Sequence, residues 1–370
     1  MKGVLILGAG NAQIDAIEYL IAKDGYEVHV CSWSAEDKGA KLADKFVQIN
    51  ITDADKIQEY VHKNNIDYIY SIGSDLAMPT VAKISARLGL PCFVSPELPM
   101  ICNNKHLLRD ALGEGFEGNI RHITARNLPD LKGWNHYPCV IKPVDSQGQR
   151  GVYEVRSANE LEKYFDVSMS FSRSKKVIVE EYVDGQEFSV NSFFCHGEMK
   201  FSLVSDRIVF DEYPGGIIKE HHVPSLIDQD VKTKILDLVK RSAERLNIRE
   251  GPAYYQIKLL KNAPKIIEIT PRLDGCHMWK LIRHYCNDDL LASTFEYLLE
   301  GTEPIFKSDF SDKNLLLEFL CEKPQTIFSK SKYNVDGALE LVWYYQDGDE
   351  VVSLNGHMEK CGYVVREIAK

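Results

Sequence analysis

The 370-residue sequence is short of several features, and each shortage removes a class of function. No apolar run approaches the ~20 residues that a membrane-spanning helix requires, so a membrane partner is not expected. The opening "VLILGAG" is too short for a signal peptide and stops at glycines that read as a turn. There is no basic tract. With 44 Lys and Arg against 54 Asp and Glu, the net charge is −10, which speaks against nucleic acid as the main partner. An anionic ligand must therefore be met by local positive charge rather than by the overall field. The nine cysteines include no CxxC and no regular spacing, the pattern of reduced thiols in a cytoplasm. Internal repeats, low-complexity tracts and a Ser–His–Asp-like set are also missing. What remains, 44% hydrophobic and 26% charged residues, is the composition of a soluble globular enzyme of two or three domains.

Residues 1–100 alternate strand and helix. "GVLILG", "EVHVCSW", "IDYIYSIG" and "LPCFV" read as strands, separated by the amphipathic helices "NAQIDAIEYLIAKDG", "DADKIQEYVHKNN" and "MPTVAKISARLG". This rhythm predicts a parallel sheet with right-handed crossovers. It changes after Pro99. "NNKHLLRDALGEG" is helical, and "PCVIKPV" is a strand that leads into the glycine-bearing loop "DSQGQRG". The long stretch 176–210 is rich in β-branched and aromatic residues with Gly-containing turns, which signals antiparallel hairpins. An amphipathic helix over 228–247, a hairpin over 254–275, a helix over 277–299 and further strands over 305–370 complete the chain. Boundaries near 100 and 303 divide it into units of 1–100, 101–303 and 304–370.

The turn "LILGAGNAQ" offers Gly8-x-Gly10 between strand and helix. A dinucleotide fingerprint also needs a third glycine and an acidic residue at the tip of the second strand. Here Gln13 stands in the first place, and the second strand ends Cys31-Ser32-Trp33. A nicotinamide-dependent oxidoreductase would rest on the two glycines alone. The other readings are a plain tight turn, or a loop (Gly8, Gly10, Asn11) whose N–H groups at the helix start receive a substrate anion. "GCHMWKLIRHYC" sets Cys276, His277, His284 and Cys286 close together. Their spacing does not match structural zinc motifs, and helix packing accounts for them better.

Four features carry the chemistry through their order: Lys105 in "NNKHLLRDAL"; Lys142 in "VIKPVDSQGQRGV", a strand-end lysine before Gly148 and Gly151; Glu180 and Glu181 in "VIVEEYVDGQEFSV", with Glu187 six residues on; and the hairpin "YYQIKLLKNAPKIIEITPRLDG". On that hairpin Gln256, Glu268, Thr270 and Arg272 stand where a packed sheet favours apolar side chains. A three-residue loop, 261–263, would set Gln256 opposite Glu268, about 5 Å apart at Cβ.

Over roughly residues 1–300 this series resembles the ATP-grasp superfamily, in particular biotin carboxylase, the synthetase halves of carbamoyl-phosphate synthase and the purine-pathway carboxylate–amine ligases. The resemblance implies a mixed α/β and α+β architecture. A parallel-sheet pre-ATP-grasp domain precedes a two-lobed ATP-grasp fold, whose lid lies near 140–185, and a small β-rich C-terminal region follows. It implies ATP and Mg²⁺ (or Mn²⁺) as cofactors. Lys105 and Lys142 would meet the phosphates, and the loop with Gly148 and Gly151 would close over them. Glu180, Glu181, Tyr182 and Val183 would form the adenine-binding hinge, and Glu187 would accept from the ribose. Gln256, Glu268 and Thr270 would face the metal, and Arg272 would stabilise an acyl phosphate. Two positions depart from the common pattern: Gln256 where most members have Glu, as in carbamoyl-phosphate synthase, and Thr270 where most have Asn. Lys219 and His222 in "KEHHVPS" are candidates for contact with phosphate or substrate. The implied reaction joins a small-molecule carboxylate to an amine with release of ADP and phosphate. A homodimer is compatible with the resemblance, and a non-catalytic nucleotide-binding protein is the rival reading.

Overall fold

The computed structural model describes residues 1–146, 150–212, 216–353 and 357–368. The first unit contains β1 (Lys2–Leu7), α1 (Asn11–Ile21), β2 (Tyr26–Ser32), α2 (Lys38–Leu42), β3 (Lys45–Gln48), α3 (Ala54–Lys63), β4 (Ile66–Tyr70) and α4 (Met78–Leu88). Its four strands are parallel in the order β3-β2-β1-β4. The central strands are buried on both faces and read as continuous apolar runs. The fourth strand is β3. The segment 90–94, expected as a strand, forms none. Pro91 there has no N–H to give a ladder. Two helices, α5 (Glu97–Asn103) and α6 (Lys105–Leu112), lead out of this unit.

The segment expected as a lid lies in a four-stranded antiparallel sheet in the order β5-β8-β6-β7. It comprises β5 (His122–Ala125), β6 (Cys139–Pro143), β7 (Tyr153–Val155), α7 (Ala158–Ser170) and β8 (Val177–Glu181), and so begins earlier than residue 140. Alternation along the strands sorts their side chains. Cys139, Ile141, Val177 and Val179 join Leu161 and Phe165 of α7 in a small core. Lys142 and Glu180 point the other way, towards the third unit.

That unit is built on one eight-stranded sheet, ordered β13-β12-β9-β10-β11-β14-β16-β15. Its elements are β9 (Glu187–Cys195), β10 (Glu198–Val209), β11 (Ile218–Val223), α8 (Gln229–Leu246), β12 (Gly251–Leu260), β13 (Ala263–Thr270), α9 (Met278–Cys286), α10 (Leu290–Glu300), β14 (Asn314–Glu322), β15 (Ala338–Trp343) and β16 (Glu359–Ile368). One face buries Phe188, Val190, Tyr255, Ile257, Ile266 and Ile269 in the core shared with α5, α8 and α10. The β-rich region expected over 304–370 is continuous with this sheet: β14 pairs with β11, and β16 and β15 follow. The helix expected over 277–299 is broken in two. Asn287 takes the left-handed conformation (φ 59°). The Asp288 carboxylate then accepts from the N–H groups of Lys307 and Ser308 at 2.9 Å each, and Asp289 caps α10. Among the described residues no helix is long and apolar enough to cross a membrane.

Candidate active site

Over β9–β13 the second face of the large sheet is polar and, apart from Glu268, buried or half-buried. Cross-strand partners share a face, so the register lays out its rows. Thr270, Tyr254 and Asn191 form one row. Glu268, Gln256, Ser189 and Ser205 form the next. Lys258 pairs with Glu187, and Arg207 pairs with His221 beyond it. Several buried atoms on this face have no hydrogen-bond partner among the described residues: Thr270 Oγ1, Asn191 Nδ2, Arg207 Nε and both ring nitrogens of His221. Each such atom costs about 1–3 kcal/mol. A wall carrying several of them is a surface made to meet a polar ligand.

The pairing of Gln256 with Glu268 arises in a way the sequence does not show. The β12–β13 turn has two residues, Lys261 and Asn262, both with positive φ (50° and 64°), as a type I′ turn requires. Carried through unbroken, that turn would set Gln256 opposite Ile267. The register slips by one between Gln256 and Ile257, and Glu268 becomes Gln256's partner. The Glu268 side chain is exposed at the sheet surface yet has protein close around its carboxylate. Burial, and next the nearby Asp75, push its carboxyl above the usual range, with Lys105, Arg272 and Arg207 opposing.

The small antiparallel sheet contributes a lysine and its carboxylate. Lys142 is ion-paired with Glu180, which also accepts from Arg109 Nε at 2.8 Å. Burial would raise the Glu180 carboxyl, but the two cations overcome it and hold it at about 2. Lys105, at the first position of α6, donates through Nζ to the Ser146 carbonyl at 3.0 Å. Burial, and next the Lys142 charge, lower its pKa. Glu187 is bound by Arg207 and by the amide nitrogen of Gln256, with Lys258 Nζ at 3.8 Å. With its nitrogen so committed, the Gln256 carbonyl oxygen is the end that a cation would take.

Cations and a carboxylate thus gather beside the polar strand residues, where the small antiparallel sheet meets the larger one. The sequence profile described as an ATP-grasp domain matches residues 135–279, which include Lys142, Glu180, Gln256 and Glu268. Residues 135–279 form an ATP-grasp domain. A formate-dependent phosphoribosylglycinamide formyltransferase of Erythrobacter litoralis is 29% identical over 189 residues, 49% of this chain and 47% of that one. A phosphoribosylamine–glycine ligase of Thermococcus kodakarensis is 25% identical over 295 residues, 73% and 67% of the two chains. The chain thus spans between about half and two thirds of these relatives' lengths. The crystal structure of an L-amino acid ligase from Bacillus licheniformis superposes with a TM-score of 0.80, covering 99% of this chain and 93% of that one at 18% identity, a likeness of fold.

Of the residues expected to form a hinge, Glu180 and Glu181 end β8, and Tyr182 and Val183 follow it. Glu181 is half-buried, its N–H bonded to the Arg121 carbonyl, and the Tyr182 N–H is bonded to the Pro138 carbonyl. Val183 is buried. Gly148 lies outside the described residues. Gly151 has a packing reason to be glycine: φ is 75°, and a Cβ would lie 2.8 Å from Phe171 Cδ2. Arg272 is buried against Asp75, its Nε 2.9 Å from Oδ1.

Other expected positions land elsewhere. Lys219 and His222 are both bound to Glu220, at 3.0 and 2.7 Å. Because side chains alternate along β11, His222 sits on the face opposite to Arg207, and it is His221 that occupies the polar face. Burial, and then Arg207, hold the His221 pKa well below the usual value. At the first turn, Gly8 has φ 103°, Gly10 precedes α1 and Asn11 begins it. The Gln13 side chain packs over Gly8 and donates to the Ile72 carbonyl at 2.6 Å. It thereby fills the place where a dinucleotide turn needs its third glycine. Among the described residues no group of three or more His, Cys, Asp or Glu side chains is arranged to hold a metal. His277 instead bonds Asp15 (2.9 Å) and Tyr344 (2.8 Å), and His284 bonds Glu340 (3.1 Å).

Sequence reasoning missed Asp75, Arg109, Arg207, His221 and Lys360. Lys360 reaches the edge of the same face from β16. It lies 3.4 Å from the centre of the Phe319 ring and 3.7 Å from Cys276 Sγ. Only the "LLRDAL" arginine, one turn after Lys105, left a local trace: a charged residue at a position that the helix buries.

Proposed function

We propose that the protein is an ATP-dependent carbon–nitrogen ligase. A small-molecule carboxylate attacks the γ-phosphorus of ATP, giving an acyl phosphate and ADP. An amine then attacks the acyl carbon, phosphate leaves, and the nitrogen gives up a proton. Such transfer depends on placing the reactants and meeting developing charge. The observation that carries the reading is that Lys105 stands within electrostatic reach both of Lys142, itself ion-paired with Glu180, and of Glu268.

Magnesium fits the residues present. It binds through one or two carboxylates together with phosphate oxygens and needs no cage of protein ligands. Glu268 would supply the carboxylate and Gln256 an amide oxygen, and the buried Thr270 Oγ1 has no partner among the described residues. When bound, the ion would neutralise phosphate charge. Lys142 and Lys105 would hold the phosphates, Glu180 would accept from the adenine amine, and Glu187 from the ribose. Arg272, kept in place by Asp75, would meet the acyl phosphate with a permanently charged fork. Carboxylate and amine would enter along the Asn191–Tyr254 row, below His221 and Lys360. Homodimeric assembly and a cytoplasmic location belong to the same proposal.

The test is phosphate release from ATP with paired carboxylates and amines, with mass spectrometry of the products. Lys142→Ala is expected to weaken ATP binding by about 2–4 kcal/mol, measured by calorimetry. Unchanged affinity would remove Lys142 from the site. ATP binding without ligation across the whole panel would favour a nucleotide-binding protein.

A further inference from the structure

Among the described residues Arg109 is the largest side chain with no exposed surface. It lies on α6, one turn after Lys105, and its guanidinium is divided among three acceptors. Nε donates to Glu180 Oε1 at 2.8 Å, Nη1 to the Ile266 carbonyl at 2.7 Å and Nη2 to the Ile267 carbonyl at 3.0 Å. The two carbonyls belong to the place where the β12–β13 register slips, the slip that turns Glu268 to face Gln256. The Ile266 N–H is itself bonded to the Gly118 carbonyl at 2.9 Å. The strand is thus held from both sides just before Glu268. A second path runs the same way: the Arg109 carbonyl accepts from Asn119 Nδ2 at 2.9 Å, and the Asn119 carbonyl accepts from Lys265 Nζ at 3.1 Å. One side chain therefore grips a carboxylate at the hinge and the backbone that aims a carboxylate on the hairpin.

We propose that Arg109 is a positioning residue that couples the adenine end of the nucleotide site to its metal end. The proposal rests on the roles given above to Glu180 and Glu268. Arg109 touches neither nucleotide nor metal in this account and acts through those two residues. Only a planar fork can serve all three acceptors, since a lysine ammonium at the end of a flexible stem can keep the bond to Glu180 but cannot span two successive carbonyls as well. The two ends should therefore separate under substitution.

The experiment compares the wild-type chain with Arg109→Lys and Arg109→Met, each first checked by circular dichroism and melting temperature. ADP affinity is measured by calorimetry in EDTA, and Mn²⁺ affinity in the presence of saturating ADP by electron paramagnetic resonance. Arg109→Lys is expected to keep metal-free ADP affinity within threefold while weakening Mn²⁺ at least tenfold. Arg109→Met is expected to weaken both at least tenfold. A folded Arg109→Lys with wild-type Mn²⁺ affinity, or a folded Arg109→Met with wild-type ADP affinity, overturns the proposal. Hydrogen exchange on the unaltered protein tests it without substitution. ADP in EDTA is expected to slow exchange across residues 262–270, and no change there overturns the coupling. Failure of the wild-type chain to bind ADP at all overturns the functional reading itself, a result distinct from the others.

Discussion

Glu180 shows how far a single side chain can be taken. Its carboxyl lies at about 2 against an ordinary 4.5 because Arg109 and Lys142 outweigh the cost of burial. A depressed carboxylate contributes stability that is fully present above its unfolded pKa and is lost as pH falls through the folded one. The window is therefore about pH 4.5 down to about 2. Urea melts of wild type are expected to lose on the order of 2–4 kcal/mol across that window, and Glu180→Gln should flatten the dependence there. An unchanged slope in the variant would mean that other carboxylates set the acid limit. Lys105, Lys142 and Glu180 were legible in the sequence because each stands inside a short local pattern. Asp75 was not, since its partner Arg272 is 197 positions away and nothing near Asp75 marks it. His221 was missed by one residue, and on a strand one residue is the difference between the two faces.

At the scale of elements, the hairpin was legible as two strands with polar residues on one face, but not its turn or its bulge. The expected three-residue loop and the observed two-residue turn with a slip arrive at the same Gln256–Glu268 pairing, so that pairing could be reached from the sequence by the wrong route. The broken helix over 278–300 is the opposite case. Its apolar period runs through Asn287-Asp288-Asp289, and only the bonds from Asp288 to Lys307 and Ser308 show why the chain stops there. Asp288 is buried and accepts two backbone N–H groups. Asp288→Ala is expected to cost about 2–3 kcal/mol, seen as a lower urea midpoint at unchanged slope. Asp288→Asn, which keeps one acceptor, should cost less. Equal stability of Asp288→Ala and wild type would show that the break is held by other contacts.

For the whole molecule, the parallel first unit and the change of rhythm after Pro99 were legible, and the boundary near 303 was not a boundary of the sheet. Strands over 305–370 read the same whether they make a unit of their own or extend another, because strand pairing between distant segments leaves no mark on either. The structure joins them through four paired residues of β11 and β14, with Leu315, Leu317 and Phe319 buried in the main core. A chain ending at residue 303 is therefore expected to be insoluble or to lack a cooperative melt, despite containing every residue proposed to meet the nucleotide. A soluble, cooperatively melting fragment would show that the C-terminal strands are an addition rather than a part. The same pairing bears on how the protein is made. On the ribosome β11 emerges about ninety residues before the strand that will cover it, several seconds at ordinary rates of synthesis. Throughout that interval its edge offers unpaired N–H and C=O groups to any neighbouring nascent chain. Rapid translation of residues 224–313, or a chaperone resident on that edge, should therefore govern the yield of folded protein more strongly than any side chain of the candidate active site.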